Sequence, residues 1–248
     1  MQNHASVRIG MLTPSSNTVV EPVVAAMLAE LPEVTAHASR LRVTEISLED
    51  DSQSQFDPDP MLAAAKLLAD AQATVMGWNG TSASWLGFDL DRCLCETMTE
   101  RFGVPSTSAV LAINELIDEL AAQRIAFVTP YVDAVQARIT AQYREAGYDC
   151  VAERHTGEHV NYAFAEIADD VITRLIREVG AAAPDAIIVM CTNMRAAPLV
   201  DALEQEIGVP VIDSLAAYIW KALRLCDVDT RRITGWGRIF QCKGAGAW

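Results

Sequence analysis

Residues 186–193 read Ala-Ile-Ile-Val-Met-Cys-Thr-Asn, an uncharged apolar run that ends abruptly in polar residues. Such a run is typical of a strand that is buried on both faces of a parallel sheet. Open α/β sheets bind their ligands outside the carboxyl ends of their strands. The stretch therefore predicts that Cys191, followed by Thr192 and Asn193, lies at the ligand-binding edge of a sheet.

The chain carries this pattern twice. Residues 73–82 read Ala-Thr-Val-Met-Gly-Trp-Asn-Gly-Thr-Ser, and in both copies a helical stretch and a Gly-Val-Pro turn follow, at 103–105 and 208–210. The two beginnings also match, with Arg-Ile-Gly-Met-Leu-Thr-Pro at 8–14 and Arg-Ile-Ala-Phe-Val-Thr-Pro at 124–130. Internal repetition is strong evidence about architecture. It predicts an α/β protein with two pseudo-symmetric Rossmann-like lobes, parallel sheets and an active-site cleft between the lobes.

The repeat also suggests how the chain is divided. We expect a first lobe over residues 1–110, completed by 214–248, and a second lobe over 111–213 that carries Cys191. The Gly-rich end of the chain is open to two interpretations, packing across the first lobe or packing against a neighbouring subunit. The second of these would make the protein a homo-oligomer.

The amino-acid composition limits the classes of protein to which the chain can belong. The 248 residues carry a formal net charge of −14, and nucleic-acid binding relies on Lys and Arg that neutralise phosphates, so a nucleic-acid partner is not expected. No run is long and apolar enough to cross a membrane, and residues 1–6 lack the basic and apolar regions of a signal peptide. We therefore expect no membrane partner and a cytoplasmic location.

The metal-ligating residue types do not predict a metal site. His155 and His159 are four residues apart, but Gly157 lies between them in an expected loop, so their side chains need not share a helix face. The cysteines also lack the spacing of metal ligands; they are at positions 93, 95, 150, 191, 226 and 242.

Three connecting segments have their own patterns. The sequence predicts a helix over 17–31 and a long helix over 162–179. Residues 45–60 form a polar connection with several Asp residues. Because charge runs are usually at the surface, we interpret this connection as a solvated loop in preference to a cover for the cleft.

Four motifs in register resemble the aspartate/glutamate racemase superfamily, specifically the branch that holds maleate cis-trans isomerases and arylmalonate decarboxylases. The motifs are Thr-Pro-Ser-Ser-Asn-Thr at 13–18, Gly-Thr-Ser-Ala-Ser at 80–84, Thr-Pro-Tyr-Val-Asp at 129–133, and Cys191 with its trailing Gly-Val-Pro at 208–210. They span almost the whole chain. The resemblance implies an enzyme that needs no cofactor and acts on a small carboxylate or dicarboxylate.

Site residues follow from the motifs and from the resemblance. Small hydroxyl residues after a glycine let backbone N–H groups approach an anion while the side chains donate further hydrogen bonds. The resemblance implies that Tyr131 binds carboxylate or enolate oxygens and that Asn17 and Asn161 hold carboxylates. We expect catalytic roles for Cys191, Tyr131, Thr81 and Ser82, and substrate binding by Pro14, Asn17, Gly80, Thr192, Asn193 and Asn161.

Structural alternatives stand beside these roles. Asn17 is also a good helix cap, and Tyr131 is placed to pack against the start of a helix. Considered without the other motifs, Cys191 would be interpreted as a buried structural cysteine, since free cysteines are among the most buried residues. If a helix began directly after Cys191, its N-terminus would favour the thiolate.

The reaction is suggested by an asymmetry in the repeat. A two-base racemase uses one cysteine from each lobe, because inversion needs a proton taken from one side of the substrate and delivered to the other. In this sequence the residue equivalent to Cys191 in the first copy of the repeat is Gly80, so racemisation is not expected. One cysteine opposite Gly-Thr-Ser resembles the arylmalonate decarboxylases, with Trp78 or Trp85 supplying an apolar wall. Decarboxylation of a malonate-type acid therefore ranks first, maleate-type isomerisation second, and non-catalytic carboxylate binding third.

Overall fold

The repeated sequence pattern forms two four-stranded parallel sheets in the computed structural model, which describes residues 7–49 and 54–242. The first sheet has the strand order β2-β1-β3-β4 and the second has the matching order β6-β5-β7-β8. The predicted two-lobed α/β architecture is confirmed. The strands are β1 Val7–Pro14, β2 Val34–Leu41, β3 Val75–Trp78, β4 Ser106–Ser108, β5 Arg124–Thr129, β6 Asp149–His155, β7 Ala186–Val189 and β8 Val211–Asp213.

Helices connect the strands, because parallel neighbours need a crossover connection. Short 3₁₀ turns occur at Ser54–Phe56, Asn161–Glu166, Ala197–Leu199, Thr230–Arg232 and Arg238–Gln241. In the described residues the α-helices are α1 Val20–Met27, α2 Pro58–Asp70, α3 Ala83–Leu86, α4 Phe88–Phe102, α5 Ala109–Glu119, α6 Asp133–Glu145, α7 Asp169–Gly180, α8 Val200–Ile207 and α9 Ser214–Leu225.

The two Gly-Val-Pro turns end equivalent helices. Gly103 closes α4 with a φ of 66°, and Gly208 closes α8 with a φ of 75°. Both backbones are left-handed, a conformation that glycine adopts without steric cost at the end of a helix. The following residues then enter β4 and β8, the last strand of each sheet. The repeated tripeptide is thus a repeated helix-to-strand turn.

Two expected helices are shorter than predicted. The helix expected over 17–31 covers Val20–Met27, because the Asn17 side-chain oxygen accepts from the backbone N–H groups of Val19 and Val20 and so fixes a later start. The helix expected over 162–179 is a 3₁₀ turn followed by α7, since extended backbone at residues 167 and 168 separates the two.

Helix α9 packs against the first sheet. The Tyr218 hydroxyl in α9 donates to the backbone oxygen of Gly10 in β1, at 2.6 Å. A Cβ atom at Gly77 would lie 1.9 Å from the Thr107 oxygen and 3.0 Å from Tyr218 Cε2, so this close packing requires glycine at position 77. Residues 214–225 therefore pack where the first lobe was expected to be completed.

The segment after α9 contacts both halves of the molecule. Arg232 forms an ion pair with Glu33 beside the first sheet, while the Arg238 backbone N–H donates to Glu204 of α8 at 2.7 Å. The division into residues 1–110 with 214–248 and residues 111–213 stays a prediction. No helix in the described part of the chain is long and apolar enough to span a membrane.

Candidate active site

A small pocket lies between the two lobes, at the carboxyl ends of the central strands. The first lobe contributes the loop after β3, and the second contributes the residues after β5 and β7. These loops meet because the two sheets have the same topology and present their carboxyl edges to one cleft. The lining residues are Pro14, Val43, Ile46, Phe56, Trp78, Gly80, Thr81, Ser82, Trp85, Tyr131, Asn161, Cys191 and Thr192.

Cys191 lines this pocket and is 2% exposed. Burial raises the pKa of its thiol to about 12; hydrogen bonds from the Asn193 backbone, the Tyr131 hydroxyl and the Met194 backbone lower this pKa only in part. The expectation of a thiolate favoured by a helix N-terminus is wrong, because residues 191–196 form a turn and α8 begins only at Val200. Cys191 is therefore a protonated thiol at neutral pH.

Tyr131 connects the two lobes inside the pocket. Its hydroxyl is 2.7 Å from the Thr81 hydroxyl, and it also hydrogen-bonds the Cys191 thiol. Burial raises the pKa of Tyr131 well above its usual value, so the phenol keeps its proton. Since the phenol has a single hydrogen, a bond donated to Cys191 leaves its oxygen to accept from Thr81. Tyr131 precedes α6, which begins at Asp133.

Gly80 occupies the position in the first copy of the repeat that Cys191 occupies in the second, and Trp78 fills the space beside Gly80. A Cβ atom at position 80 would lie 2.3 Å from Cζ2 of the Trp78 ring, which is far below van der Waals contact. The ring is 1% exposed, and its Nε1 donates to the Ser82 hydroxyl at 3.0 Å, so it is held in place. The first lobe therefore has neither a thiol nor the room for one at this position.

Asn17 and Asn193 lie behind the lining and not in it. The Asn17 oxygen caps the start of α1, as the structural alternative predicted, while its nitrogen is 3.4 Å from the Thr192 hydroxyl. Asn193 accepts from the Thr18 backbone N–H at 3.0 Å and donates to the Asn161 backbone oxygen at 2.6 Å. The Asn17–Thr192 and Thr18–Asn193 bonds join the two lobes next to the pocket.

Asn161 and Thr192 line the pocket, and the side chain of each donates a hydrogen bond to a protein partner. Asn161 donates through Nδ2 to the Ser16 hydroxyl at 2.7 Å, and the Thr192 hydroxyl donates to the Asn79 backbone oxygen at 3.1 Å. No Lys, Arg or His is among the lining residues that the structure describes. An anion bound here would have to be held by neutral donors.

Val43, Ile46 and Phe56 form an apolar part of the lining, which we call the apolar roof. Ile46 is 4% exposed, and its backbone N–H donates to the His159 oxygen at 2.8 Å, which holds the segment over the cleft. Most of the described residues in 45–60 are exposed, in agreement with the interpretation as a solvated connection, but the buried Ile46 and the half-buried Phe56 line the pocket. The signal in the sequence was the presence of single large apolar residues, Ile46 and Phe56, within an otherwise acidic segment.

The roof leaves very little room. The cavity is about 20 Å³, which is enough for a single water molecule. A second cavity, of about 160 Å³, lies on the other side of Phe56 between α2 and α4, and it shares Phe56 and Ser82 with the first. Its remaining walls are mostly apolar. Phe56 therefore lies between the small pocket that contains Cys191 and a larger apolar cavity.

The two histidines have different partners. His155 places its ring nitrogens 2.8 Å from Glu153 and 2.9 Å from Asp133, whereas His159 is 3.5 Å from Glu158. The carboxylates around His155 raise its pKa against the opposing effect of burial. His155 is thus engaged in ion pairs at the rim of the second sheet.

The fold and the pocket together define a class of protein, the duplicated α/β enzymes of the aspartate/glutamate racemase superfamily. A family model described as arylmalonate decarboxylase matches residues 9–240. The chain belongs to this family. It is an enzyme of the branch whose members are cofactor-independent decarboxylases and cis-trans isomerases.

The individual relatives include both decarboxylases and isomerases. The chain is 27% identical to the arylmalonate decarboxylase of Bordetella bronchiseptica over 97% of its own length and 99% of the relative's, and 26% identical to the maleate isomerase of Nocardia farcinica over 94% and 95%. Among solved structures, a variant of the N. farcinica isomerase with a covalently bound succinylcysteine intermediate has a TM-score of 0.87 at 25% identity, covering 94% of this chain and 98% of that one. A liganded variant of arylmalonate decarboxylase has a TM-score of 0.82 at 25% identity, with the same coverage.

Proposed function

We propose that this enzyme decarboxylates a malonate-type acid and that Cys191 donates the proton to the product. The observation that carries the proposal is the pairing of one protonated thiol with Gly80, where Trp78 fills the space of a second thiol. A single acid can protonate a carbanion from one face, whereas two-base inversion needs a group on each face. The pocket therefore suits a reaction that delivers one proton.

The reaction balances with the groups in the pocket. The bond between the central carbon and one carboxylate breaks, CO₂ leaves, and the electron pair stays on the remaining carboxylate as an enediolate. The central carbon then takes a proton from the Cys191 thiol, and the resulting thiolate regains a proton from water. The net change is one carboxylate replaced by one hydrogen, with consumption of one proton.

The enediolate needs donors that are already in position. We assign this role to the hydroxyl groups of Tyr131, Thr81 and Ser82, three residues that line the pocket. Preorganised donors aimed at a developing oxyanion each contribute about 3 to 4 kcal/mol to such a step. Because Tyr131 already contacts the Cys191 thiol, a substrate oxygen at its hydroxyl would lie next to the proton donor.

The apolar roof supports loss of CO₂. A cavity that holds about one water molecule leaves little hydration for a carboxylate placed beneath Val43, Ile46 and Phe56. Loss of that hydration favours the uncharged product CO₂ over the carboxylate. Asn161 and Thr192, which also line the pocket, are proposed to contact the small carboxylate or dicarboxylate substrate, with Pro14 and Gly80 shaping the pocket beside them. For Asn17 and Asn193 we propose an indirect role, in which Asn17 positions Thr192 and Asn193 positions Asn161.

Proton NMR in D₂O tests the proposal directly. Phenylmalonate, methylmalonate and maleate are incubated separately with the wild-type protein, Cys191→Ala and Cys93→Ala, the last being a control at an exposed cysteine. We expect an α-deuterated monoacid from at least one malonate with the wild type and Cys93→Ala, and none with Cys191→Ala. A monoacid formed equally well by Cys191→Ala would contradict the role of the thiol.

Maleate isomerisation is the second candidate, favoured by the TM-score of 0.87 to the N. farcinica enzyme. The same experiment separates the two, because isomerisation of maleate gives fumarate without release of CO₂. Fumarate formation that depends on Cys191 would replace the decarboxylase proposal. Binding of the acids without any product would instead favour a non-catalytic carboxylate binder.

A further inference from the structure

Two indole rings line the pocket, and they differ in their hydrogen bonding. Trp78 donates through Nε1 to the Ser82 hydroxyl at 3.0 Å. Trp85 is 2% exposed, and its Nε1 has no hydrogen-bond partner. A buried N–H group without a partner loses its hydration and receives nothing in exchange, which makes it an exception that calls for an explanation. A ligand bound in the pocket would supply an acceptor for this N–H group.

The surroundings of Trp85 restrict what that acceptor is. Its ring contacts Tyr131 and Phe56 edge to face, with centroids 5.3 Å and 5.9 Å apart. It therefore lies between the hydroxyl that contacts Cys191 and the roof of the pocket. Protein acceptors are not within reach in the described part of the chain.

Several of the other side-chain donors in the lining already have protein partners. Thr81 and Tyr131 bond each other, Asn161 bonds Ser16, and Thr192 bonds the Asn79 backbone oxygen. The pocket has no cationic side chain among its described lining residues. A carboxylate that enters it must take its hydrogen bonds from neutral groups, and Trp85 offers one without breaking an existing bond.

We propose that Trp85 Nε1 donates a hydrogen bond to a carboxylate oxygen of the substrate and thereby fixes the orientation of that carboxylate beside Tyr131. This inference rests on the proposed function for the identity of the substrate, but it requires only that a carboxylate binds in the pocket. Trp85 is then a substrate-binding residue that the sequence suggested only as part of an apolar wall. Hydrogen bonds to charged groups are the stronger ones in proteins, so the contribution is measurable.

Indole NMR observes the bond without requiring turnover. The protein is labelled with ¹⁵N at its five tryptophan side chains and titrated with phenylacetate, with toluene as a ring without a carboxylate. Trp220 is the internal control, because its Nε1 is also buried and unpartnered but it does not line the pocket. The variants Trp85→Phe and Trp220→Phe assign the two signals.

We expect phenylacetate to move the Trp85 indole proton downfield while the Trp220 signal stays in place, and toluene to cause no downfield shift. Trp85→Phe should lower kcat/KM for the malonate substrate roughly 10- to 100-fold, whereas Trp220→Phe should leave it within about 2-fold. The urea midpoint should fall by a similar amount in Trp85→Phe and Trp220→Phe, because both replace a buried indole with a smaller ring. A loss of activity in Trp85→Phe alone is therefore separate from the loss of packing, and equal losses of activity in the two variants would mean a purely structural role for Trp85.

The outcomes distinguish this inference from the proposed function. An unmoved Trp85 signal at saturating phenylacetate, or an unchanged kcat/KM in Trp85→Phe, overturns the inference even if malonates are decarboxylated. A downfield shift of Trp85 with phenylacetate upholds it even if no malonate is turned over, in which case the proposed reaction fails and the carboxylate site stands.

Discussion

The hydroxyl groups of Thr81 and Tyr131 are 2.7 Å apart, and their hydrogen bond crosses from one lobe to the other inside the pocket. Thr81 follows β3 and Tyr131 follows β5, so neither lobe alone contains the pair. Because Tyr131 also contacts Cys191, the three side chains form a continuous chain from the first lobe to the acid. Formation of the site thus depends on the docking of the two lobes.

Removal of the Tyr131 hydroxyl tests this chain. Tyr131→Phe should reduce kcat for decarboxylation by roughly 10²- to 10³-fold, the usual cost of losing one oxyanion donor. Steady-state kinetics with a malonate measure the loss. Tyr148→Phe is the matched control, since its hydroxyl bonds Asp118 at 2.9 Å outside the pocket. A loss in kcat of similar size in both variants would argue against a specific role for Tyr131.

A cysteine at position 80 should not convert this enzyme to two-thiol chemistry. Gly80→Cys forces its Cβ into the Trp78 ring, and overpacking of this kind costs about 1 to 3 kcal/mol of the free energy of unfolding. Gly80→Ala carries the same Cβ and should lose a similar amount. Adding Trp78→Phe to Gly80→Cys should recover part of the loss, because the smaller ring lacks the outer atoms that clash. Urea unfolding gives the three values, and a Gly80→Cys variant as stable as the wild type would contradict the steric argument.

The raised pKa of Cys191 predicts how stability changes with pH. Its thiol has a pKa of about 12 when folded and an ordinary value of 9.0, so folding favours the protonated form. The stabilisation is fully present below pH 9 and is lost as the pH rises toward 12. Between pH 8 and pH 10 the wild type should lose about 1.4 kcal/mol more of its free energy of unfolding than Cys191→Ala. Urea titrations at the two pH values measure this difference, and equal losses in the two proteins would show that the folded thiol is not shifted.

Phe56 should control the size of the substrate. The ring separates a cavity of about 20 Å³ from an apolar one of about 160 Å³, so Phe56→Ala joins the two. We expect kcat/KM to rise for malonates with a bulky apolar substituent relative to methylmalonate. The matched control is Leu67→Ala, which trims a side chain on α2 that is 63% exposed and should leave the ratio unchanged. A ratio that stays constant in Phe56→Ala would mean that the substituent lies elsewhere.

The duplicated architecture and most of the pocket were predictable from the sequence. The apolar strands before Gly80 and Cys191 fixed the place of both loops, because parallel strands align their carboxyl ends. The roles of Asn17 and Asn193 could not be predicted from the sequence. An Asn that caps a helix and an Asn that binds a ligand both occur directly after a strand, so their positions in the sequence do not distinguish them. The clash between Trp78 and a side chain at position 80 depends on a rotamer, which residue order alone does not specify. The roof was missed because its charged residues concealed Ile46 and Phe56.

The hydrogen bonds that join the two lobes next to the pocket also constrain how a substrate enters. The Thr192 hydroxyl donates to Asn79 of the other lobe in a buried bond, and Asn193 accepts from the Thr18 backbone in a part-buried one. Separation of the lobes would break both bonds and leave the buried groups of Thr192 and Asn79 without their partner. We therefore expect the substrate to enter by displacement of the apolar roof and not by separation of the two lobes. Turnover at saturating substrate should accordingly be insensitive to solvent viscosity, as a glycerol series would measure, in contrast to an enzyme that closes two domains around its ligand.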